Sequence, residues 1–138
     1  MINKEITREI IRGFYKVYNK LGYGFLEKVY ENALMVELKK LGFEVVQQKK
    51  IKVFYDGFIV GEYCADLIVN DAVVIELKSV EALCKEHKNQ LINYLRSTEK
   101  EVGLLLNFGK EPEFQRVIFT NNNKNLCKSV KSASSVCH

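Results

Sequence analysis

The run "VGLLLNF" at residues 102–108 constrains the fold more than any other part of the chain. It is apolar almost throughout and does not alternate. A strand with one face in water alternates apolar and polar residues, whereas a strand covered on both faces is continuously apolar. This run therefore predicts a central strand that lies inside a layered protein. We expect an α/β (α+β) fold, with helices packed on a mixed sheet.

The pattern of apolar residues predicts the order of the elements. Ile6, Ile10, Phe14 and Val17 recur at helical spacing, and "FLEKVYENALMVELKKLG" predicts a second helix that ends at Gly42. β-Branched and aromatic residues follow, and Asp56-Gly57 within them is a strong hairpin signal. "AVVIELKSV" predicts a third strand, "LCKEHKNQLINYLRST" a helix, and "VGLLLNFG" and "EFQRVIF" two further strands. The predicted order is helix, helix, three antiparallel strands, helix, strand, strand (ααβββαββ).

Length, charge and cysteine usage limit the class of protein. We expect one domain over residues 1–120, followed by a polar, flexible tail over residues 121–138. No apolar run approaches the roughly 20 residues of a membrane span, and the first residues lack a signal-peptide core. We therefore expect a cytoplasmic protein without a membrane partner. A net charge of +4 is compatible with a polyanionic partner. The four cysteines form no CxxC pair, which predicts reduced thiols.

Two charged residues stand near the end of the third predicted strand. Glu76 and Lys78 are two residues apart, so they project from the same face of that strand, and Leu77 projects from the other. Buried charges are costly unless they are paired or bind a metal. One interpretation is an ion pair at the edge of the sheet. The other is half of a metal-dependent active site, which needs further carboxylates.

Asp66, on the preceding strand, supplies one carboxylate if the register is right. A two-residue turn pairs Val69 with Ala72 and places Asp66 and Glu76 on opposite faces. A three-residue turn pairs Val69 with Val73 and brings Asp66 opposite Glu76. We favour the second register because it leaves one face almost wholly apolar, with Tyr63, Ala65, Leu67, Val69, Val73, Ile75 and Leu77.

In that register Asp66, Glu76 and Lys78 form one cluster. Two carboxylates with an intervening backbone carbonyl can hold a hard divalent cation such as Mg²⁺. Lys78 can orient a water molecule or stabilise developing negative charge. The structural alternative is a charge cluster at the end of a sheet with no chemical role.

The stretch "GFLEKVYENAL" carries a second motif. Gly24-x-x-Glu27-x-x-Tyr30 resembles, residue for residue, the signature of the GxxExxY protein family. "ADLIVNDAVVIELKSV", "HKNQLINYLRST" and "GLLLNFG" resemble later blocks of that family in order and spacing. The resemblance covers about residues 5 to 120 and leaves the tail outside.

The GxxExxY family looks like a compact branch of the PD-(D/E)xK nuclease superfamily, which has the restriction-endonuclease-like fold. The resemblance implies an active site at Asp66, Glu76 and Lys78. It also implies two further catalytic residues: Glu27, which would bind the metal with Asp66 and Glu76, and Gln90, which begins a Q-x-x-x-Y pattern that ends at Tyr94. Tyr30 and Tyr94 are expected to support the site. Ala65 stands where the name of the superfamily would place proline.

Together these observations predict a metal-dependent nuclease, or nuclease-like phosphodiesterase, that uses Mg²⁺ or Mn²⁺ on nucleic acid, with DNA favoured over RNA. The main alternative is a catalytically silent module with the same fold, which binds nucleic acid or joins a complex. A third hypothesis is a hydrolase of a smaller phosphorylated substrate. The sequence shows no helix-turn-helix, zinc finger or strongly basic arm for gripping a duplex. A homodimer would supply that surface.

Overall fold

A computed structural model describes residues 3–124 of the chain. The elements are α1 Lys4–Leu21, α2 Glu27–Lys40, β1 Val45–Tyr55, β2 Phe58–Val69, β3 Val73–Lys78, α3 Lys85–Arg96, β4 Val102–Phe108 and β5 Pro112–Ile118. Residues 121–124 add a helical turn. The predicted order of helices and strands is confirmed.

The five strands form one mixed sheet in the order β1-β2-β3-β4-β5. Only β3 and β4 are parallel, and the other neighbours are antiparallel. A parallel pair needs a crossover connection, and α3 provides it. This topology agrees with the predicted restriction-endonuclease-like architecture.

Helices cover both faces of the sheet. α1 and α2 pack with Leu104, Leu106 and their neighbours in one buried cluster, and α3 packs with Leu105 in a second cluster on the opposite face. All seven residues of β4 are buried. The run is therefore continuously apolar because helices cover β4 on both faces, as predicted.

The predicted turns also occur. Asp56 and Gly57 both have left-handed backbone, with φ of 49° and 82°, as expected for the tight turn of a two-residue hairpin loop. Gly42 follows α2 with φ of 90°, and its N–H donates to the carbonyl of Lys39 at 2.9 Å. This is a glycine C-terminal cap.

The register between β2 and β3 is the predicted one, with Val69 opposite Val73 and Leu67 opposite Ile75. The predicted apolar face is wrong at two positions, because Ala65 and Tyr63 pack in the α3 cluster while Leu67 packs against α1 and α2. Gln48, opposite Asp66, has a left-handed backbone with φ of 52°, and the β1–β2 ladder is interrupted there. The alternation of faces changes at this interruption.

The helical turn at 121–124 packs against the end of the domain. The Asn121 N–H donates to Glu101 Oε2 at 2.7 Å, and the buried Lys124 Nζ donates to the carbonyl of Thr98 at 3.0 Å. The rest of the predicted tail, residues 125–138 with Cys127 and Cys137, lies outside the described residues. The predicted domain boundary thus stays a prediction. Within residues 3–124, no helix has the length and apolarity needed to cross a membrane.

Candidate active site

The candidate site lies where β2 and β3 stop pairing. The ladder ends at Leu67 and Ile75, and the next positions in that register are Asp66 and Glu76. Asp66 Oδ2 accepts the backbone N–H of Leu77 at 2.8 Å. A side-chain carboxylate thus takes the place of a backbone acceptor, so the strands diverge without stranding that N–H.

Glu76 is a buried carboxylate, with 8% of its surface exposed. Burial and, after it, the charge of the neighbouring Asp66 raise its pKa to about 8, although the Lys78 ammonium opposes the shift. The backbone N–H of Asp66, as a hydrogen-bond donor, also favours the charged form. Desolvation outweighs these compensations, so a negative charge at Glu76 is costly in the metal-free protein.

Asp66 is perturbed in the same direction. Burial raises its pKa, and the hydrogen bond from the Leu77 N–H opposes that rise. Glu31 raises the pKa further through its charge, whereas Gln48 lowers it as a hydrogen-bond donor. Two neighbouring carboxylates therefore both resist ionisation, which is typical of sites that bind a cation or a proton.

Lys78 and Gln90 are in contact. Lys78 Nζ donates to Gln90 Oε1 at 3.4 Å. Both line a cavity of about 260 Å³ together with Glu62, Tyr63, Cys64, Glu76 and Tyr94. The Tyr94 hydroxyl donates to the carbonyl of Lys49 at 3.3 Å, and burial raises the pKa of Tyr94 to about 12. The structure thus places Tyr94 beside Glu76.

Glu27 reaches the same region as the first residue of α2. Although the residue is exposed overall, burial of its carboxylate raises its pKa. Lys78 lowers that pKa, Asp66 raises it, and the backbone N–H of Ser79 lowers it as a hydrogen-bond donor. These interactions connect the helix preceding the sheet to the end of β3.

Tyr30 fixes the loop that leads to Glu27. Its hydroxyl donates to the carbonyl of Gly22 at 2.5 Å and accepts the N–H of Phe25 at 3.1 Å. Its ring is fully buried and stacks on Phe108 with centroids 4.4 Å apart. The glycine-to-tyrosine motif therefore has a structural explanation, because the tyrosine ties residues 22–25 to α2 and sets where Glu27 begins the helix.

Replacing Tyr30 with phenylalanine is expected to destabilise the fold by about 1–3 kcal/mol, because the carbonyl of Gly22 and the N–H of Phe25 lose a shared partner. Urea unfolding measures this change. The control is Tyr55→Phe, since Tyr55 is 64% exposed at the hairpin tip. Equal stability of the Tyr30→Phe variant and the wild type would show that the hydroxyl does not hold the loop.

Two residues beside Asp66 were not predicted from the sequence. Glu31 is buried, and its carboxylate accepts hydrogen bonds from Lys28, Gln47 and Gln48 at 2.8–3.2 Å. Gln48 Nε2 also donates to Asp66 Oδ1 at 3.3 Å, so it links two carboxylates. The four-residue spacing between Glu27 and Glu31 on one helix was the available signal for Glu31.

Asn107 holds the segment that follows Lys78 and was also missed. Its Oδ1 accepts the N–H of Val80 at 3.0 Å, and its Nδ2 donates to the Val80 carbonyl at 2.9 Å. A Cβ at Gly109 would lie 2.1 Å from that carbonyl, so only glycine fits there. The end of β4 thereby fixes the segment that contains Ser79, whose backbone N–H is a hydrogen-bond donor to Glu27.

The carboxylates suit a divalent cation in their chemistry. Asp66, Glu76 and Glu27 offer only oxygen ligands, which Mg²⁺ prefers, and a cation would offset the burial and the mutual repulsion that raise their pKa values. Within residues 3–124, no three His, Cys, Asp or Glu side chains stand close enough to hold an ion as placed. Binding would therefore require these side chains to turn toward one another.

A model of the PD-(D/E)XK nuclease superfamily matches residues 4–117, which is most of the chain. The chain belongs to the PD-(D/E)XK nuclease superfamily. Members of this superfamily are usually nucleases and typically use divalent metals. The three residues that the resemblance assigned to the motif, Asp66, Glu76 and Lys78, all lie within the matched region and interact electrostatically.

One solved structure supports the fold of this superfamily member. The crystal structure of SSO0001 is similar with a TM-score of 0.53 at 19% sequence identity. The similarity covers 79% of this chain and 59% of the other. No curated protein matches the chain. At this identity the structural comparison concerns the fold and not the activity.

Proposed function

We propose that this protein is a metal-dependent nuclease that hydrolyses phosphodiester bonds in nucleic acid. One observation carries the proposal: Asp66, Glu76 and Glu27 arrive from three elements beside Lys78, and the pKa of each carboxyl is raised. A structural charge cluster would be expected to pair its carboxylates fully. Here Glu76 faces two other carboxylates and one ammonium group.

The three carboxylates would hold Mg²⁺ or Mn²⁺ after turning toward one another. When bound, the cation would polarise a phosphoryl oxygen and lower the pKa of a water molecule. Hydrolysis would add water across the phosphorus–oxygen bond, so that one product keeps the phosphate with the new oxygen and the leaving oxygen takes up a proton to become a hydroxyl. Lys78, held by Gln90, stabilises the negative charge that develops on the phosphate.

DNA is our first choice of substrate, because the resemblance is to restriction-endonuclease-like proteins. We place the activity in the cytoplasm. With +4 net charge, one copy offers limited attraction for a long duplex, and a homodimer would extend the surface.

The alternative function is a silent binding module with the same fold. The separation of the carboxylates favours it, since the described residues present no closed three-ligand group. Such a module would bind nucleic acid without cutting it.

A cleavage assay on single- and double-stranded DNA and RNA tests the proposal. We expect cleavage with Mg²⁺ or Mn²⁺, none with a chelator, and none by the Asp66→Asn variant in any condition. The control is Asp71→Asn, which removes an exposed carboxylate from the turn between β2 and β3, where it pairs with Lys100. Binding without cleavage across all metals and substrates would favour the silent module.

A further inference from the structure

The loop at residues 22–26 leads directly into Glu27 of the candidate site and exposes large apolar side chains. Tyr23 is 60% exposed, Phe25 47% and Leu26 79%, and Val29 continues the patch on α2 at 38%. Leu26 immediately precedes Glu27. An exposed apolar cluster rimmed by polar groups marks a surface that contacts a ligand or a partner.

This loop is ordered by its own hydrogen bonds. The buried hydroxyl of Tyr30 connects Gly22 to Phe25, and the Phe25 ring meets the Tyr30 ring edge to face at 6.0 Å. Gly22 and Gly24 supply the left-handed backbone that the bend requires, with φ of 72° and 118°. The loop backbone and the Phe25 ring are therefore held in place before any ligand binds, which lowers the entropic cost of binding.

Two lysines flank the same loop along the chain. Lys20 lies in the last turn of α1, and Lys28, which pairs with Glu31 at 3.0 Å, follows Glu27 on α2. The Tyr18 hydroxyl donates to the carbonyl of Lys110 at 2.7 Å, which brings the β4–β5 connection to the end of α1. Aromatic faces beside ammonium groups are the combination with which proteins bind single-stranded nucleic acid.

We propose that the loop at residues 22–26 is a stacking surface for unpaired nucleotides, so that the substrate is single-stranded nucleic acid or a duplex with an unpaired segment. This inference rests on the proposed nuclease function and narrows its substrate. Bases inside a duplex stack on one another and present only their edges. Unpaired bases expose the faces on which Tyr23 and Phe25 can stack, while the nearby lysines attract the phosphates.

A fluorescence experiment tests stacking directly, because the chain contains no tryptophan. The Tyr23→Trp variant is titrated with a single-stranded oligonucleotide, and separately with a blunt duplex, in a chelator that prevents cleavage. We expect the fluorescence to be quenched by the single strand and much less by the duplex. The matched control is Tyr55→Trp, at a tyrosine of similar exposure on the hairpin tip. Its fluorescence should stay constant.

A second pair of variants measures the contribution to affinity. Tyr23→Ala combined with Leu26→Ala should weaken single-strand binding at least about 5-fold, the lower range for loss of one base–aromatic contact. Tyr55→Ala combined with Ile59→Ala removes exposed apolar side chains from the hairpin tip and should leave binding unchanged.

The outcomes separate this inference from the nuclease proposal. Metal-dependent cleavage without quenching or loss of affinity would overturn the stacking surface alone, and would leave the loop to another partner such as a protein. Quenching without cleavage would overturn the nuclease and keep the surface. Equal quenching by duplex and single strand, or equal effects at the hairpin tip, would also overturn the inference. Absence of any nucleic-acid binding would overturn both.

Discussion

The Lys78→Met variant is expected to cut nucleic acid about 10²–10³-fold more slowly than the wild type, with its affinity nearly unchanged. An ammonium group placed where negative charge develops contributes far more to rate than to binding, to which it adds one phosphate contact among several. Methionine keeps the apolar stem of the side chain. Single-turnover cleavage is measured with metal and binding is measured in a chelator, on the same protein samples. The two measurements separate the effect on rate from the effect on affinity.

Lys16→Met is the control for general loss of positive charge. The exposed Lys16 of α1 pairs with Glu37 of α2 at 3.0 Å, and neither residue lines the cavity of Lys78 and Gln90. The Lys16→Met variant should retain cleavage. If Lys78 is only an ion-pair partner, its loss leaves buried carboxylates less compensated, and the Lys78→Met variant should then have a lower melting temperature and no specific loss of cleavage. That pattern would contradict its catalytic role.

The Glu76→Gln variant is expected to be more stable than the wild type above pH 8 when no metal is present. The pKa of Glu76 is about 8 in the folded protein and about 4.5 ordinarily. Between these values the folded state keeps a proton that the unfolded state releases. Stability of the wild type therefore falls as pH rises through this window, by about 5 kcal/mol at most.

Urea unfolding in a chelator at pH 5, 7 and 9 measures this dependence. The Glu76→Gln variant should lose most of it, whereas Glu44→Gln, which removes an exposed carboxylate before β1, should keep it. A wild type whose stability is constant from pH 5 to pH 9 would show that Glu76 ionises without cost.

Divalent metal should offset the loss of stability that ionisation of Glu76 causes, because a cation stabilises the ionised carboxylate. A metal that binds only the folded state at 100 times its Kd adds about 2.7 kcal/mol. We expect Mn²⁺ or Mg²⁺ at pH 8 to raise the melting temperature of the wild type and not that of Glu76→Gln. An identical increase in both proteins would place the metal elsewhere.

Local patterns account for the parts that the sequence predicted well. Alternation along β2 and β3 selected the register of Val69 with Val73, because the other register would have scattered charges over both faces. The continuous apolar run of β4 likewise reflects burial on both faces. These are properties of neighbouring residues, so one sequence reveals them.

The missed features depend on contacts between distant parts of the chain. The left-handed backbone of Gln48 interrupts the ladder beside Asp66. The sequence gives no signal for it, because the residue is neither glycine nor asparagine, which adopt this conformation most readily. Asn107 is a polar residue in an otherwise apolar strand, and the sequence does not show that its side chain binds the backbone of Val80. The side chains around Glu31 likewise come together only after β1 pairs with β2.

The segment between β3 and α3 has few backbone partners of its own, yet its amides are engaged by side chains. The N–H of Val80 is bound by Asn107, and that of Leu83 by Glu113 Oε1 at 3.0 Å. Hydrogen exchange at these two amides should therefore be slow for a loop and should follow opening of the β4–β5 pair. The residues just after Lys78 would then move mainly when β4 and β5 separate, and local fraying of this segment would be rare.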